Sequence, residues 1–282
     1  MTADLTAGRK GVNMGLLDGK VAFITGAART QGRSHAIRLA EEGADIIAFD
    51  ICGEAAAVGY PSATPQDLRQ TVADVESLDR RIVAHVGDVR DQEALGAAVA
   101  AGVAELGRLD IVVANAGISS WGRFWEMSEE RWQAMIDINL TGVWRTMRAA
   151  VPAMIEQGQG GSIINISSVA GIKSLPGQAH YSAAKHGVVG LTKSAAIELG
   201  EYDIRVNSIH PWGVDTPMAQ DAELGDVLGR FPGYMGSFGS IMPHLGMAQP
   251  RDISEAVLFL ASDASKFMTG AQLPVDMGAT KV

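Results

Sequence analysis

Short apolar runs alternate with longer amphipathic stretches along this chain. Val21–Thr25, Asp45–Phe49, Ile82–Val86, Asp110–Ala114, Ser162–Ile166, Arg205–Ile209 and Gln272–Val275 read as strands. Most are apolar throughout, the mark of strands covered on both faces. Helical spacing separates them: Gly32 to Glu42, a stretch from about Gln66 (Leu68, Val72, Val75, Leu78), Asp91 to Leu106, Glu129 to about Ile155, a helix from near Tyr181, and Asp252 to Ala261. Strand alternating with helix predicts an α/β fold with a doubly wound parallel sheet of the Rossmann type. No break divides the pattern, so residues 19–282 are expected to form one domain. Residues 1–18 are polar and aperiodic and read as a loose arm, in which Met14 offers a second candidate start.

Three stretches modify this outline. The Glu129–Ile155 pattern carries Trp132, Met135, Ile138, Val143, Trp144, Met147 and Met154 on more than one stripe. A helix apolar on two sides needs two partners, the sheet and a second copy of itself, which predicts a homo-oligomer. Residues 51–65 hold turn formers with no period and form an insertion, read either as a surface loop or as a cover for a neighbouring site. Residues 217–250 have few charges, but Met218, Leu224, Leu228, Phe231, Met235, Phe238, Ile241 and Met242 are too apolar for a solvated loop; they read as a lid over an apolar ligand.

The strand ends carry the candidate chemistry. T-G-A-A-R-T-Q-G follows the first strand, with Gly26 and Gly32 permitting close approach of backbone N–H groups to a pyrophosphate. Asp50 ends the second strand, where it accepts from both ribose hydroxyls of NAD and repels the 2′-phosphate of NADP. Asp88 ends the third, within reach of an adenine amino group, and the small residues Asn115-Ala116-Gly117 follow the fourth. Thr216 is placed to hold a nicotinamide amide. Ser167 and Ser168 end the fifth strand, and Tyr181 and Lys185 stand four apart on the next helix, on one face. A free phenol titrates near about 10. A cation about 4 Å away contributes about 4 kcal/mol at an effective dielectric near 20, enough with a positive cofactor ring to make Tyr181 a base for an alcohol. The same spacing also suits an ordinary amphipathic helix with a buried Tyr. Asn139 lies within the apolar helix pattern, where a lone buried Asn usually satisfies a backbone group; the other reading is a kink that orders water near Lys185.

Charge and composition narrow the classes. A net charge of -9 disfavours nucleic acid as a partner. The single cysteine, Cys52, rules out an internal disulfide and suits a reducing cytoplasm. The six histidines show no ligand spacing, so no metal site is expected. No run is long and apolar enough to span a bilayer.

Taken together, T-G-A-A-R-T-Q-G, Asp88-Val89, N-A-G at Asn115, I-N-I-S-S-V-A-G, Y-S-A-A-K, R-V-N-S-I-H-P and P-V-D-M-G resemble the short-chain dehydrogenase/reductase family over roughly Lys20 to Gly278. The resemblance implies a catalytic tetrad of Asn139, Ser168, Tyr181 and Lys185, and often a tetramer. It implies an NAD site built from Gly26, Arg29, Thr30, Gln31, Gly32, Asp50 and Ile51, with Asp88, Val89, Asn115, Ala116 and Gly117 beyond them. Tyr181, Lys185, Pro211, Gly213, Val214, Thr216 and Met218 complete that site. Two departures stand out: Thr30 where the family's turn usually has Gly, and H-P-W-G where P-G is commoner. The Q-G-R-S-H-A run, the I-C after Asp50, the insertion and the A-H-Y-S-A-A-K-H-G-V-V-G-L run are similar to the mycofactocin-associated, carveol-dehydrogenase-like subgroup. That implies tightly held NAD, reoxidised by mycofactocin, and a hydrophobic secondary alcohol or ketone as substrate. The rival expectations are an NADPH-dependent ketone or acyl-thioester reductase, which Asp50 opposes, and a non-catalytic NAD-binding redox sensor.

Overall fold

The strands of the computed structural model, which describes residues 15–54, 56 and 58–282, fall on the apolar runs. They are β1 (Val21–Thr25), β2 (Asp45–Asp50), β3 (Ile82–Val86), β4 (Ile111–Ala114), β5 (Gly161–Ile166), β6 (Ile204–Pro211) and β7 (Gln272–Val275). All pair in parallel in the order β3-β2-β1-β4-β5-β6-β7. The order reverses between β1 and β4, and a crevice opens beyond the carboxyl ends of strands at such a point.

Alternation along β1 divides the core. Ala22 and Ile24 face a layer made by α1 (Thr30–Glu41), α2 (Pro65–Glu76) and α8 (Pro250–Ala261). Val21 and Phe23 face the opposite layer, made by α3 (Gln92–Leu106), α5 (Gly142–Gln157) and α6 (Ala179–Leu199). Phe23 meets Phe49 edge-on at 6.3 Å between ring centres. Burying one such ring contributes about 1.5–3 kcal/mol. Local signals set the helix ends. Thr64 and Asp67 form a reciprocal capping box on α2, with Pro65 in its first turn. Asp91 caps α3, and Gly107 closes it at φ 88°.

Two expectations are corrected. Residues 15–18, assigned to a loose arm, form a turn whose Leu17 is buried and whose backbone bonds Glu42; residues 1–14 lie outside the described part. The single helix expected from Glu129 to Ile155 is α4 (Glu129–Ile136), a π-helical turn (Asp137–Thr141) and α5. The extra residue of a π turn re-aims side chains, here Asn139, and such turns recur at functional sites. The segment 217–250 holds α7 (Ala222–Arg230) and short 3₁₀ turns; its Phe238 packs on Trp121 and Trp212, while Met235, Ile241 and Met242 are exposed. Among the described residues no helix is long and apolar enough to cross a membrane.

Three buried histidines make the fold sensitive to acid. Burial holds the pKa of His35 down at about 3 and those of His180 and His210 down at about 4. In the unfolded chain each would titrate near about 6.5. Between these values the unfolded state binds more protons, so stability falls as pH drops from about 6.5 toward 4. The melting temperature should decline through that window, with about three extra protons taken up on unfolding. A melting temperature flat down to pH 4.5 in a buffer series would overturn this.

Candidate functional site

The site lies where β1, β2 and β4 end. The Thr25 hydroxyl accepts from the backbone N–H of Asn115 and of Ala116, each at 3.2 Å. Asn115 returns two bonds from Nδ2, to the carbonyls of Thr25 and Gly26 at 3.0 and 3.2 Å. Gly26 sits at φ 68°, and a Cβ there would come within 2.9 Å of the Ala116 Cα. One at Gly32 would collide with the Gly26 carbonyl. The two glycines are therefore steric requirements of the turn.

Helix α1 starts straight out of this turn. Arg29 occupies its N-cap without a capping side chain, and the first turn holds no acid. Its leading N–H groups are thus left for an anion. Gln31 Oε1 is buried there without a partner. Thr30 takes φ +46°, the left-handed conformation that glycine adopts without strain. At this departure the chain stores strain in the turn.

Asp50 is buried at the end of β2, with its Oδ2 accepting from Ala28 N–H and its Oδ1 from Cys52 N–H, both at 2.9 Å. Asp88 is engaged by the Arg90 backbone and guanidinium. Burial resists its ionisation, but the Arg90 hydrogen bonds outweigh that and hold it below the usual carboxylate range. Cys52 follows with its thiol pushed up to about 12, by burial first and then by Asp50.

A cleft of about 1030 Å³, counted out to its open mouth, runs past these groups. Gly26, Arg29, Thr30 and Gln31 line it, as do Asp50, Ile51, Asp88 and Val89. Asn115, Ala116, Gly117, Thr216 and Met218 form the rest of the expected wall. Gly32, Pro211, Gly213, Val214, Tyr181 and Lys185 stand outside the lining. Gly32 acts through the turn; Gly213, at φ 57°, and Val214 shape the loop that carries Thr216. Uncapped N–H groups, glycine-only backbone and a preoriented acid fit a dinucleotide.

Asn139, Ser168, Tyr181 and Lys185 gather beside the cleft. Lys185 is 3% exposed and donates to the Ile166 carbonyl at 2.9 Å. Its Nζ lies 5.6 Å from the centre of the Tyr181 ring. Burial lowers the Lys185 pKa to about 8. It raises that of Tyr181 to about 12, partly offset by a hydrogen bond to Ser168. In the chain alone burial dominates; the expected lowering of the phenol included a positive cofactor ring beside the ammonium. The Asn139 amide takes the plainer of its two expected roles and satisfies backbone groups. Its Oδ1 accepts from Ile118 N–H at 3.0 Å, and its Nδ2 donates to the Ile118 carbonyl at 2.9 Å and to Met135 Sδ. The side chain holds the cleft wall, with no N–H left to order water.

Sequence reasoning missed several contributors. His210, fully buried, donates from Nδ1 to the Ser168 carbonyl at 2.8 Å, so its Nε2 accepts from the Ser208 hydroxyl at 2.9 Å. Trp212 stacks on Phe238 at 6.0 Å, and Phe238 meets Trp121 at 5.7 Å. With Leu175, Val169 and Tyr181 they build an apolar cluster beside the tetrad. The unusual H-P-W-G was the only signal for either residue. Tyr60, in the insertion, lines the cleft and accepts from Ser119 N–H at 2.9 Å.

Comparison with known proteins agrees with this geometry. The family profile described as enoyl-(acyl carrier protein) reductase matches residues 26–280. An uncharacterised NAD-dependent oxidoreductase of Mycobacterium tuberculosis is 54% identical, over 95% of this chain and 98% of its own length. The (-)-trans-carveol dehydrogenase of Rhodococcus erythropolis is 46% identical, over 95% and 99%. A short chain dehydrogenase from Mycobacterium paratuberculosis, crystallised bound to NAD, superposes with a TM-score of 0.93 at 49% identity, covering 95% of this chain and all of that one.

Thr30→Gly tests the strained turn. A left-handed β-branched residue costs roughly 1–2 kcal/mol, and glycine returns part of that gain through unfolded-state entropy. The variant should gain up to about 1 kcal/mol in a urea titration. A loss would show that the Thr30 side chain supports the turn.

Proposed function

The chain belongs to the short-chain dehydrogenase/reductase family and is an NAD-dependent oxidoreductase, and from that premise we propose that it interconverts a hydrophobic secondary alcohol and its ketone. One observation carries this reading: Ser168, Tyr181 and Lys185 meet between the dinucleotide cleft and the apolar cluster of Leu175, Trp212 and Phe238. Such a wall accepts a carbon skeleton and leaves the hydroxyl to the polar groups. The name of the Rhodococcus relative, a carveol dehydrogenase, supports the same class.

NAD, when bound, accepts the hydride that the alcohol carbon loses. The chain's residues manage the proton and the geometry. Ser168 hydrogen-bonds the substrate oxygen and Tyr181 takes its proton as the C–O bond becomes a carbonyl. Lys185 favours the tyrosinate and holds the cofactor ribose. Asn139 fixes Ile118 and so the wall of the cleft. Asp50 selects NAD over NADP, because its buried carboxylate is held in place by Ala28 and Cys52 and would face a 2′-phosphate.

The insertion 51–65 is proposed as a cover that retains NAD. Val58, Tyr60, Ser62 and Ala63 line the cleft, and Arg29 donates to the Pro61 carbonyl. Mycofactocin or a similar external carrier would then reoxidise the bound cofactor. The two-sided apolar helix pattern, with Trp132 and Trp144 partly exposed, supports a homotetramer. Residues 217–250 are proposed as the substrate lid.

Tyr181→Phe should cut turnover by about a hundredfold or more and leave bound NAD unchanged; wild-type rates would sink the tetrad assignment. The cover is tested without a substrate. Protein purified without added cofactor, washed extensively and denatured, should release about one NAD per chain by mass spectrometry. An empty protein would make 51–65 a surface loop and NAD an exchanging co-substrate.

A further inference from the structure

Residues Ile118 to Trp121 follow the fourth strand without regular secondary structure, and all four are buried. Buried backbone outside a ladder must find other partners. Here side chains from scattered elements supply them. Asn139 takes both the N–H and the carbonyl of Ile118. Tyr60 accepts from Ser119 N–H, and Gln178 donates to the Ser119 hydroxyl at 2.7 Å. His180 pairs with the Ser120 hydroxyl at 2.8 Å. Glu223 accepts from Trp121 N–H at 3.1 Å, and Arg131 donates to the Trp121 carbonyl at 2.9 Å.

Two of these clamps come from the two covers. Tyr60 belongs to the insertion beside the cofactor cleft, and Glu223 to α7 in the segment beside the substrate site. They grip backbone N–H groups two residues apart. Glu223 is itself oriented by Arg131, at 2.8 Å. The covers also touch each other directly. Asp221 caps α7 by accepting from Glu223 N–H at 2.9 Å, and a Cβ at Gly59 would collide with its carboxylate. One turn of α7 therefore faces the insertion through Asp221 and the Ile118–Trp121 segment through Glu223.

We propose that Tyr60 and Glu223 are positioning residues that couple the two covers, each holding Ile118–Trp121 in the arrangement in which the other's bond forms. Freeing one cover lets the segment shift and weakens the grip of the second. Coupling is reciprocal, so a substrate that closes α7 onto Trp121 also steadies the insertion over the cofactor. This rests on the reading of 51–65 and 217–250 as covers, but its test needs neither a substrate nor retained NAD.

The test is amide hydrogen exchange by mass spectrometry on the full chain as purified, with NAD content measured on the same samples. Tyr60→Phe should speed exchange in Ala222–Arg230 by about fivefold or more. Glu223→Gln should do the same in Val58–Thr64. Peptides over β1 and β5 should stay at wild-type rates in both. If each variant loosens only its own cover, the coupling is wrong. Where a variant loosens the β1 and β5 peptides as well, Arg131→Gln decides, since Arg131 lies in neither cover and its loss frees both Glu223 and the Trp121 carbonyl. It should loosen both covers, and loosening of Ala222–Arg230 alone overturns the proposal. Loss of NAD without reciprocal loosening would also overturn the coupling, while reciprocal loosening in protein that never held NAD would leave the coupling standing and remove only the retention role.

Discussion

Four hydrogen bonds, three from the Asn115-Ala116 corner to Thr25 and one from Asn115 to the Gly26 carbonyl, hold the crevice from which the rest of the site is built. β1 and β4 are neighbours whose helices leave on opposite faces, so their ends diverge. The Thr25 hydroxyl and the Asn115 amide span that divergence with bonds no ladder could supply. Gly26 is thereby pressed against Ala116, and the chain must leave β1 in a left-handed turn. That turn sets where α1 begins and where Ala28 N–H points. Ala28 in turn fixes Asp50, so the ends of β2, β1 and β4 form one connected unit. Loss of the Thr25 hydroxyl would loosen the start of α1 and Asp50 together.

Burial works against the charge pattern that the reacting groups need. It pushes the Tyr181 phenol up and the Lys185 ammonium down, so both drift toward their neutral forms. The bare pair is less polarised than a simple cation-beside-phenol argument suggests. A carbonyl, that of Ile166, occupies one of the three ammonium protons. The tyrosinate is therefore costly in the chain alone.

The strands were legible because most are short, largely apolar runs; β1 and β7 fall on their expected residues, while β6 extends one residue earlier and two later, into Pro211. The motifs were legible because strand ends converge in this topology, which places Gly26, Asp50, Asp88 and Asn115 along one cleft. Helical periodicity could not show the π turn at Asp137–Thr141, since one extra residue barely disturbs an apolar pattern already spread over two stripes. The partners of Ile118–Trp121 were equally invisible. Tyr60 and Ser119 are 59 positions apart, and no period or propensity encodes a phenol meeting a distant backbone N–H. Solvent exposure of Met235, Ile241 and Met242 was missed for the opposite reason: composition reports apolarity without direction.

The lone cysteine has a practical consequence for handling the protein. Cys52 is partly buried beside Asp50, and its thiol stays protonated at neutral pH. Thiolate is the form that attacks maleimides, so this position labels slowly. All the ligand-facing groups lie at the carboxyl ends of the strands, whereas the end of α3 carries the exposed Glu105 at the opposite edge. A cysteine introduced at Glu105 would give a single fast-reacting handle without first removing Cys52. Tethered there to an electrode or a bead, the molecule would present its cleft to the solution.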